Sequence, residues 1–230
     1  MILCIETATG ACSAALCDDL RVIRVAEAPP GMSHAAHLTV IIQRLLEETG
    51  VKATDLAAVA VSKGPGSYTG LRIGVSTAKG IAFGAGIPLL GINTLTAMCN
   101  GYLTLHPVDP SSGTLLCPMI DARRMEVYNA LFSADGKMVR ETSADIIEAT
   151  SFRDILEEHE IIFFGNGAEK CRNTIIHPNA RFTEGFVLSA SYLHLSSLNA
   201  MKNKQFEDVA YFEPYYLKEF IATIPRKLFL

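Results

Sequence analysis

Surplus positive charge is missing from this 230-residue chain: 20 Lys+Arg stand against 24 Asp+Glu, the formal net charge is −4 and the isoelectric point lies near 5.9. Autonomous nucleic-acid binding normally shows as a basic footprint with a pI above about 9, so the chain is not expected to bind nucleic acid alone. The six cysteines (Cys4, Cys12, Cys17, Cys99, Cys117, Cys171) include no C-x-x-C pair and no histidine-spaced zinc pattern. With no secretory context to oxidise them, they read as reduced thiols. A signal peptide is not expected, because Met1 to Glu6 has no basic region and its apolar run stops at an acid. The longest uncharged stretch, between Lys79 and Asp109, is interrupted by Gly80, Gly84, Gly86 and Pro88, which argues against a membrane span. A soluble, cytoplasmic protein is the expectation.

Apolar residues are plentiful. Counted the usual way, with glycine and without tyrosine, they make up roughly 53% of the chain against a common ~45–50%. That excess predicts apolar surface covered by a partner. The length fits two lobes, and the Pro-, Ser- and Gly-dense stretch 106–113 divides them into residues 1–105 and 106–230.

Residues 2–8, 11–18 and 21–27 read as three antiparallel strands. Ser33 is the expected cap of a helix whose Leu38, Ile41, Ile42, Leu45 and Leu46 share one face, ended by Gly50. A strand at 57–62, a glycine-rich loop, a helix over 68–85, a strand at 88–92 and a helix at 94–104 complete the first lobe. The second begins with a strand at 114–120 and a hairpin of 126–133 with 137–142, turned by Asp135-Gly136. A helix capped by Ser151, with Asp154 completing a capping box, a strand at 161–164, a Gly165-Asn166-Gly167 loop, a helical 189–203 and an aromatic closing segment 209–220 follow. What repeats is the plan: a strand ending in an acid (Glu6; Asp121), a hairpin, then helices.

The segment from Lys63 to Gly74 (K-G-P-G-S-Y-T-G-L-R-I-G) sits between a strand and a helix, where backbone N–H groups could meet a phosphate. Neither known phosphate pattern fits. Lys79 precedes its glycine rather than following one, and Gly66 to Gly70 is one residue too long for the dinucleotide fingerprint. The helix that follows has only Arg72 and Lys79 as charges, and pairs glycines four apart (Gly70/Gly74, Gly80/Gly84). It is expected to form a subunit interface, with packing inside one chain as the other reading. The turns after Glu6 (Thr7, Ala8, Thr9) and Asp121 are where a two-lobed nucleotide-binding protein would hold metal-bound phosphates, yet they lack the glycine that close approach requires. These acids either serve phosphates or are carboxylates satisfied by nearby N–H groups and Arg123. His34 and His37 have no third ligand near them and are expected as exposed first-turn residues rather than metal ligands.

The segments I-E-T-A-T-G-A-C-S-A-A-L (5–16), G-P-G-S-Y-T-G-L-R-I-G (64–74), A-K-G-I-A-F-G-A-G-I-P-L-L-G-I-N-T-L (78–95), I-D-A-R-R-M-E-V-Y (120–128), G-N-G (165–167) and P-Y-Y-L-K (214–218) closely resemble the bacterial TsaB (YeaZ) family. The resemblance implies an α/β, two-lobed actin-like ATPase fold (ribonuclease H-like), each lobe a mixed sheet flanked by helices. It further implies a non-catalytic scaffold in transfer of a threonylcarbamoyl group to the tRNA adenosine beside the anticodon. The implied partners are a paralogous TsaD-type transferase, a TsaE-type ATPase and a second copy of the chain, with tRNA met only through the complex. The transferase carries a histidine pair four apart, whereas His34 and His37 are three apart. Glu6 stands where many relatives have Asp, and Met125 where glycine is commoner. Leu38, Ile42, Tyr68, Gly70, Leu71, Arg72, Gly74, Val75 and Ala78 are the expected interface residues, and Glu6, Thr7, Thr9 and Asp121 the vestigial phosphate turns. No catalytic residue, metal or tightly bound cofactor is expected, and nucleotide binding is limited to weak ATP or ADP or a nucleotide at the partner interface. The alternative is an enzyme of the same fold, a phosphotransferase or a glycoprotease-like metallopeptidase.

Overall fold

The computed structural model describes residues 1–29, 31 and 33–218. Its first sheet is built from β1 (Ile2–Glu6), β2 (Ser13–Cys17), β3 (Val22–Glu27), β4 (Ala58–Gly64) and β5 (Leu89–Asn93), ordered β3-β2-β1-β4-β5. The second contains β6 (Leu115–Asp121), β7 (Glu126–Ser133), β8 (Met138–Ile146), β9 (Ile161–Phe164) and β10 (Ala180–Thr183). Its order, β8-β7-β6-β9-β10, repeats the first strand for strand, with Asp121 at the position of Glu6. In each sheet the first three strands are antiparallel and the last two parallel to the first.

Alternation along the strands explains the layering. Leu3, Ile5, Ala14, Leu16, Val59 and Val61 face α1 (His34–Thr49) and α2 (Tyr68–Ala85). Ile2, Cys4, Ala15, Ala58 and Ala60 face the opposite way, toward Ala97 of α3 (Thr94–Leu105) and Ala200 of α5 (His194–Lys202). Helix α3 is apolar on most sides because it is wedged between the sheets. Its Leu95, Met98, Cys99 and Tyr102 pack with Leu116, Ile120, Phe132 and Phe164 of the second lobe, so the two lobes share one core. The outer face of the second sheet is covered by α4 (Arg153–Glu158) and the chain around Cys171.

Several local expectations differ. Ser33 occupies the N-cap of α1 but its hydroxyl caps nothing, and α1 ends at Gly50 in the left-handed region (φ 67°) as its pattern predicts. The capping box at Ser151 does not form. The cap is Phe152, with φ 63°, and the Ser151 hydroxyl instead accepts from Glu148 N–H at 2.9 Å. Strand β10 was not anticipated; it is four residues beside the Pro178-Asn179 turn, too short for a periodic signal.

Residues 189–216, counted with the second lobe from sequence, return to the first. Ala190, Leu193 and Ala200 cover its sheet, Glu207 N–H donates to Leu89 O at 2.9 Å, and Phe212 enters the α1–α2 core. The reason is the face bearing Ile2, Cys4, Ala58 and Ala60, which α3 covers only in part. Residues 219 and 220 of the expected closing segment lie outside the described residues. Among the described residues, no helix is long and apolar enough to cross a membrane.

Candidate functional site

The lobes enclose a cleft of about 730 Å³ lined by the β1–β2 turn (Ala8–Gly10), the N-terminus of α2, the β6–β7 turn and residues 215–218. Of the two acids at strand ends, Asp121 lines this cleft, whereas Glu6 lies behind the turn, and the two are in opposite states. Glu6 is fully buried: its carboxylate accepts from Ala8 N–H at 2.5 Å and from the Ser62 hydroxyl. Burial pushes its pKa up to about 7, against these stabilising hydrogen bonds. Asp121 is exposed, accepting from Arg123 N–H at 2.8 Å and from Lys170. Of the two readings left open by the sequence, the observed partners are those of satisfied carboxylates.

The glycines explain how closely α2 packs on the first turn. A Cβ on Gly66 would lie 2.4 Å from Ala8 O, one on Gly70 2.1 Å from Thr7 O, and one on Gly74 2.2 Å from Thr7 Oγ1. Backbone of the glycine-rich segment thus presses directly on Thr7 and Ala8, and Ser67 N–H donates to Ala8 O at 2.6 Å. The inner side of the turn is thus packed against this chain's own main chain, while Ala8 to Gly10 line the cleft.

The same contacts bear on the residues expected at an interface. Leu38, Ile42, Gly70, Leu71, Gly74, Val75 and Ala78 are buried inside the chain, where they join α1 and α2 to the sheet or to the shared core. The alternative reading, intrachain packing, holds for Gly70 and Gly74. It does not hold for Gly80 and Gly84, above which a Cβ would meet nothing within 4 Å. The outward stripe of α2 is Arg72, Ser76, Gly80, Phe83 and Gly84, with Phe83 82% exposed. Tyr68 is half-buried, and the Arg72 guanidinium lies 4.9 Å from its ring centroid. Lys79 is drawn aside to donate to Ala210 O and Phe212 O at 3.1 and 3.0 Å.

His34 and His37 are not exposed first-turn residues; both are half-buried. His34 Nε2 sits 3.0 Å from Thr9 O and 3.1 Å from Ala11 O, tying α1 to the β1–β2 turn, while His37 Nδ1 lies 3.1 Å from Ser33 O. Among the described residues no three His, Cys, Asp or Glu gather in metal-binding geometry. All six cysteines are buried, and burial pushes the thiols of Cys12 and Cys99 up to about 11 and 12.

Sequence reasoning did not single out Tyr216 or Lys218, which line this cleft, nor Ser62 and Lys170, which partner Glu6 and Asp121. Ser62 was within reach, because it follows Ala60 by two on β4 and so faces as Ala60 does. The others come from segments distant in the chain and carry no local signal.

A family model for tRNA N6-adenosine threonylcarbamoyltransferase (TsaD) matches residues 30–225. The tRNA threonylcarbamoyladenosine biosynthesis protein TsaB of Escherichia coli is 40% identical over 134 residues, 58% of this chain and 55% of that protein. Its namesake in Haemophilus influenzae is 34% identical over 158 residues, 68% of this chain and 62% of that protein. Among solved structures, a Pseudomonas aeruginosa protein described as similar to peptidase YEAZ superposes with a TM-score of 0.81 at 24% identity, covering 94% of this chain and 99% of that one. This likeness establishes the fold as the two-lobed actin-like arrangement. The chain spans only 55% and 62% of the two bacterial relatives it matches by sequence.

Proposed function

The chain belongs to the TsaD-related threonylcarbamoyltransferase family, in its TsaB (YeaZ) branch, and from that membership we propose that it serves threonylcarbamoyladenosine formation in tRNA as a non-catalytic subunit holding a TsaD-type transferase. What supports this reading is the first turn, which has no glycine of its own at Thr7 to Thr9 and onto whose Thr7 and Ala8 the backbone at Gly66, Gly70 and Gly74 packs directly. A chain built so acts through its surface. The outward stripe Arg72, Ser76, Gly80, Phe83 of α2, beside the exposed Val40 of α1, is the docking face in this proposal. Small residues there let another helix approach closely, and Phe83 supplies an aromatic anchor. In the absence of the transferase a second copy takes the same face, so homodimer and heterodimer compete. A TsaE-type ATPase completes the assembly, and tRNA is met through the complex.

Phe83→Asp and Ser76→Arg are expected to weaken association with the transferase at least tenfold, about 1.4 kcal/mol, and to shift the free chain to monomer, with unchanged thermal unfolding. Light scattering and calorimetry read the first two effects, circular dichroism the third. Reconstitution with transferase, ATPase, adenylate-forming enzyme and unmodified tRNA tests the wider claim: full modification without this chain, or modification by this chain without the transferase, refutes it.

The glycine-poor turns also bear on nucleotides. The chain alone is expected to bind ATP with Mg²⁺ only weakly, and a calorimetric Kd in the low micromolar range, about −8 kcal/mol, overturns that expectation.

A further inference from the structure

We propose that residues 215–218 are a latch that fastens the two lobes across the mouth of their cleft and sets how far it opens. The segment is anchored first on the first lobe. Lys63 pairs with Glu207 at 3.3 Å, Lys79 holds the carbonyls of Ala210 and Phe212, and Tyr215 N–H donates to Lys63 O at 2.6 Å. Gly64 makes this crossing feasible: with φ +118°, its missing Cβ leaves the place that Tyr215 O approaches to 2.5 Å. Tyr216 then packs its ring on Tyr68 at the start of α2, centroids 4.9 Å apart.

Two residues later the chain reaches the second lobe, where the Lys218 ammonium pairs with the carboxylate of Glu126 at the start of β7. Glu126 is placed for this by its neighbours. Lys170 donates to its carbonyl at 2.7 Å and also pairs with Asp121, so the facing acids of the β6–β7 turn are each matched to one lysine. At the back of the cleft the lobes share the apolar core around α3, which acts as the pivot. At the front the fastening is a half-exposed ion pair and a ring contact, weak and salt-sensitive by nature. A strong pivot with a weak latch opposite is a device that can open. Opening would move the first lobe away from Arg123 and Arg124, exposed cleft-lining side chains held on consecutive left-handed residues (φ 72° and 49°). The inference rests on contacts within this chain and not on the functional reading above.

The test uses the full chain with spin labels at Gln43→Cys on α1 and Glu157→Cys on α4, both exposed, while the native cysteines are buried. Electron–electron double resonance then reads the interlobe distance. Lys218→Glu, Glu126→Lys and Tyr216→Ala should each shift the distribution away from the parent's and broaden it. The double reversal Lys218→Glu with Glu126→Lys should bring it back, and molar salt should broaden the parent. Distributions for the three single variants that superimpose on the parent overturn the latch. A double reversal as open as its components overturns the ion pair as its fastener. Far-UV circular dichroism of the parent and variants confirms that both lobes remain folded in each sample.

Discussion

Gly70→Ala is expected to cost at least ~3 kcal/mol of unfolding free energy, enough to leave a chain of ordinary stability marginal or unfolded at 37 °C. The added methyl would sit 2.1 Å from the carbonyl oxygen of Thr7, a backbone atom at the end of the central strand that cannot swing aside. To make room, α2 must back away from the β1–β2 turn. That motion stretches the 2.6 Å bond from Ser67 N–H to Ala8 O and lifts Leu71 and Val75 from the two cores they enter. Overpacking without relief commonly costs about 1–3 kcal/mol, and loss of neighbouring core contacts adds to it. Gly80→Ala on the outward face of the same helix provides the control, since its Cβ would meet nothing within 4 Å. There the reduced freedom of the unfolded chain should raise stability by about 0.5–1 kcal/mol. Urea unfolding followed by circular dichroism measures both. A Gly70→Ala variant within about 1 kcal/mol of the parent would show that α2 does not bear on the Thr7 turn as described.

This contrast also marks how far the sequence could be read. Periodicity placed α1, α2 and α3 almost to the residue, because each buries an apolar face against a sheet. The recurrence of a strand ending in an acid, then a hairpin and helices, foretold the repeated plan, though not the order of strands in each sheet. What a helical wheel could not say is which side of α2 faces inward. Arg72 and Lys79 are the helix's only charges, yet Lys79 is consumed by two carbonyls from residues 210 and 212. Gly70/Gly74 and Gly80/Gly84 look alike as spacings, and only the position of Thr7 beneath the first pair separates a packing contact from an open surface. The return of residues 189–216 to the first lobe was illegible for a similar reason: the small side chains of Cys4, Ala15, Ala58 and Ala60 leave a face that something must cover, but sequence does not name the covering segment. At the cleft, the poverty of both acid-bearing turns was visible as missing glycine. That glycines some sixty residues later pack directly on the first turn was not.

Glu6 supplies the second large effect, and its sign follows from burial. A carboxyl in an unfolded chain titrates near 4.5, whereas this one is raised to about 7 because it is fully enclosed at the end of β1, the hydrogen bonds from Ser62 and Ala8 lowering it only in part. The native state therefore binds a proton more tightly than the unfolded state. Its contribution to stability is fully present below pH 4.5 and is lost as the pH rises through 7, an interval worth about 3 kcal/mol at 1.36 kcal/mol per pH unit. Replacing the acid by an uncharged group of equal shape removes that term. In Glu6→Gln the amide oxygen can still accept from Ala8 N–H, and the amide nitrogen can donate to the Ser62 oxygen. The expected result is that the parent, measured by urea unfolding at pH 5 and pH 8, loses roughly 2–3 kcal/mol relative to the variant across that range. Glu6→Gln should accordingly be the more stable chain at pH 8. Parallel stability profiles for the two proteins would show that Glu6 keeps its charge at little cost, and the carboxylate would then need a stabilising partner in the cleft beyond Ser62 and the turn's own N–H groups.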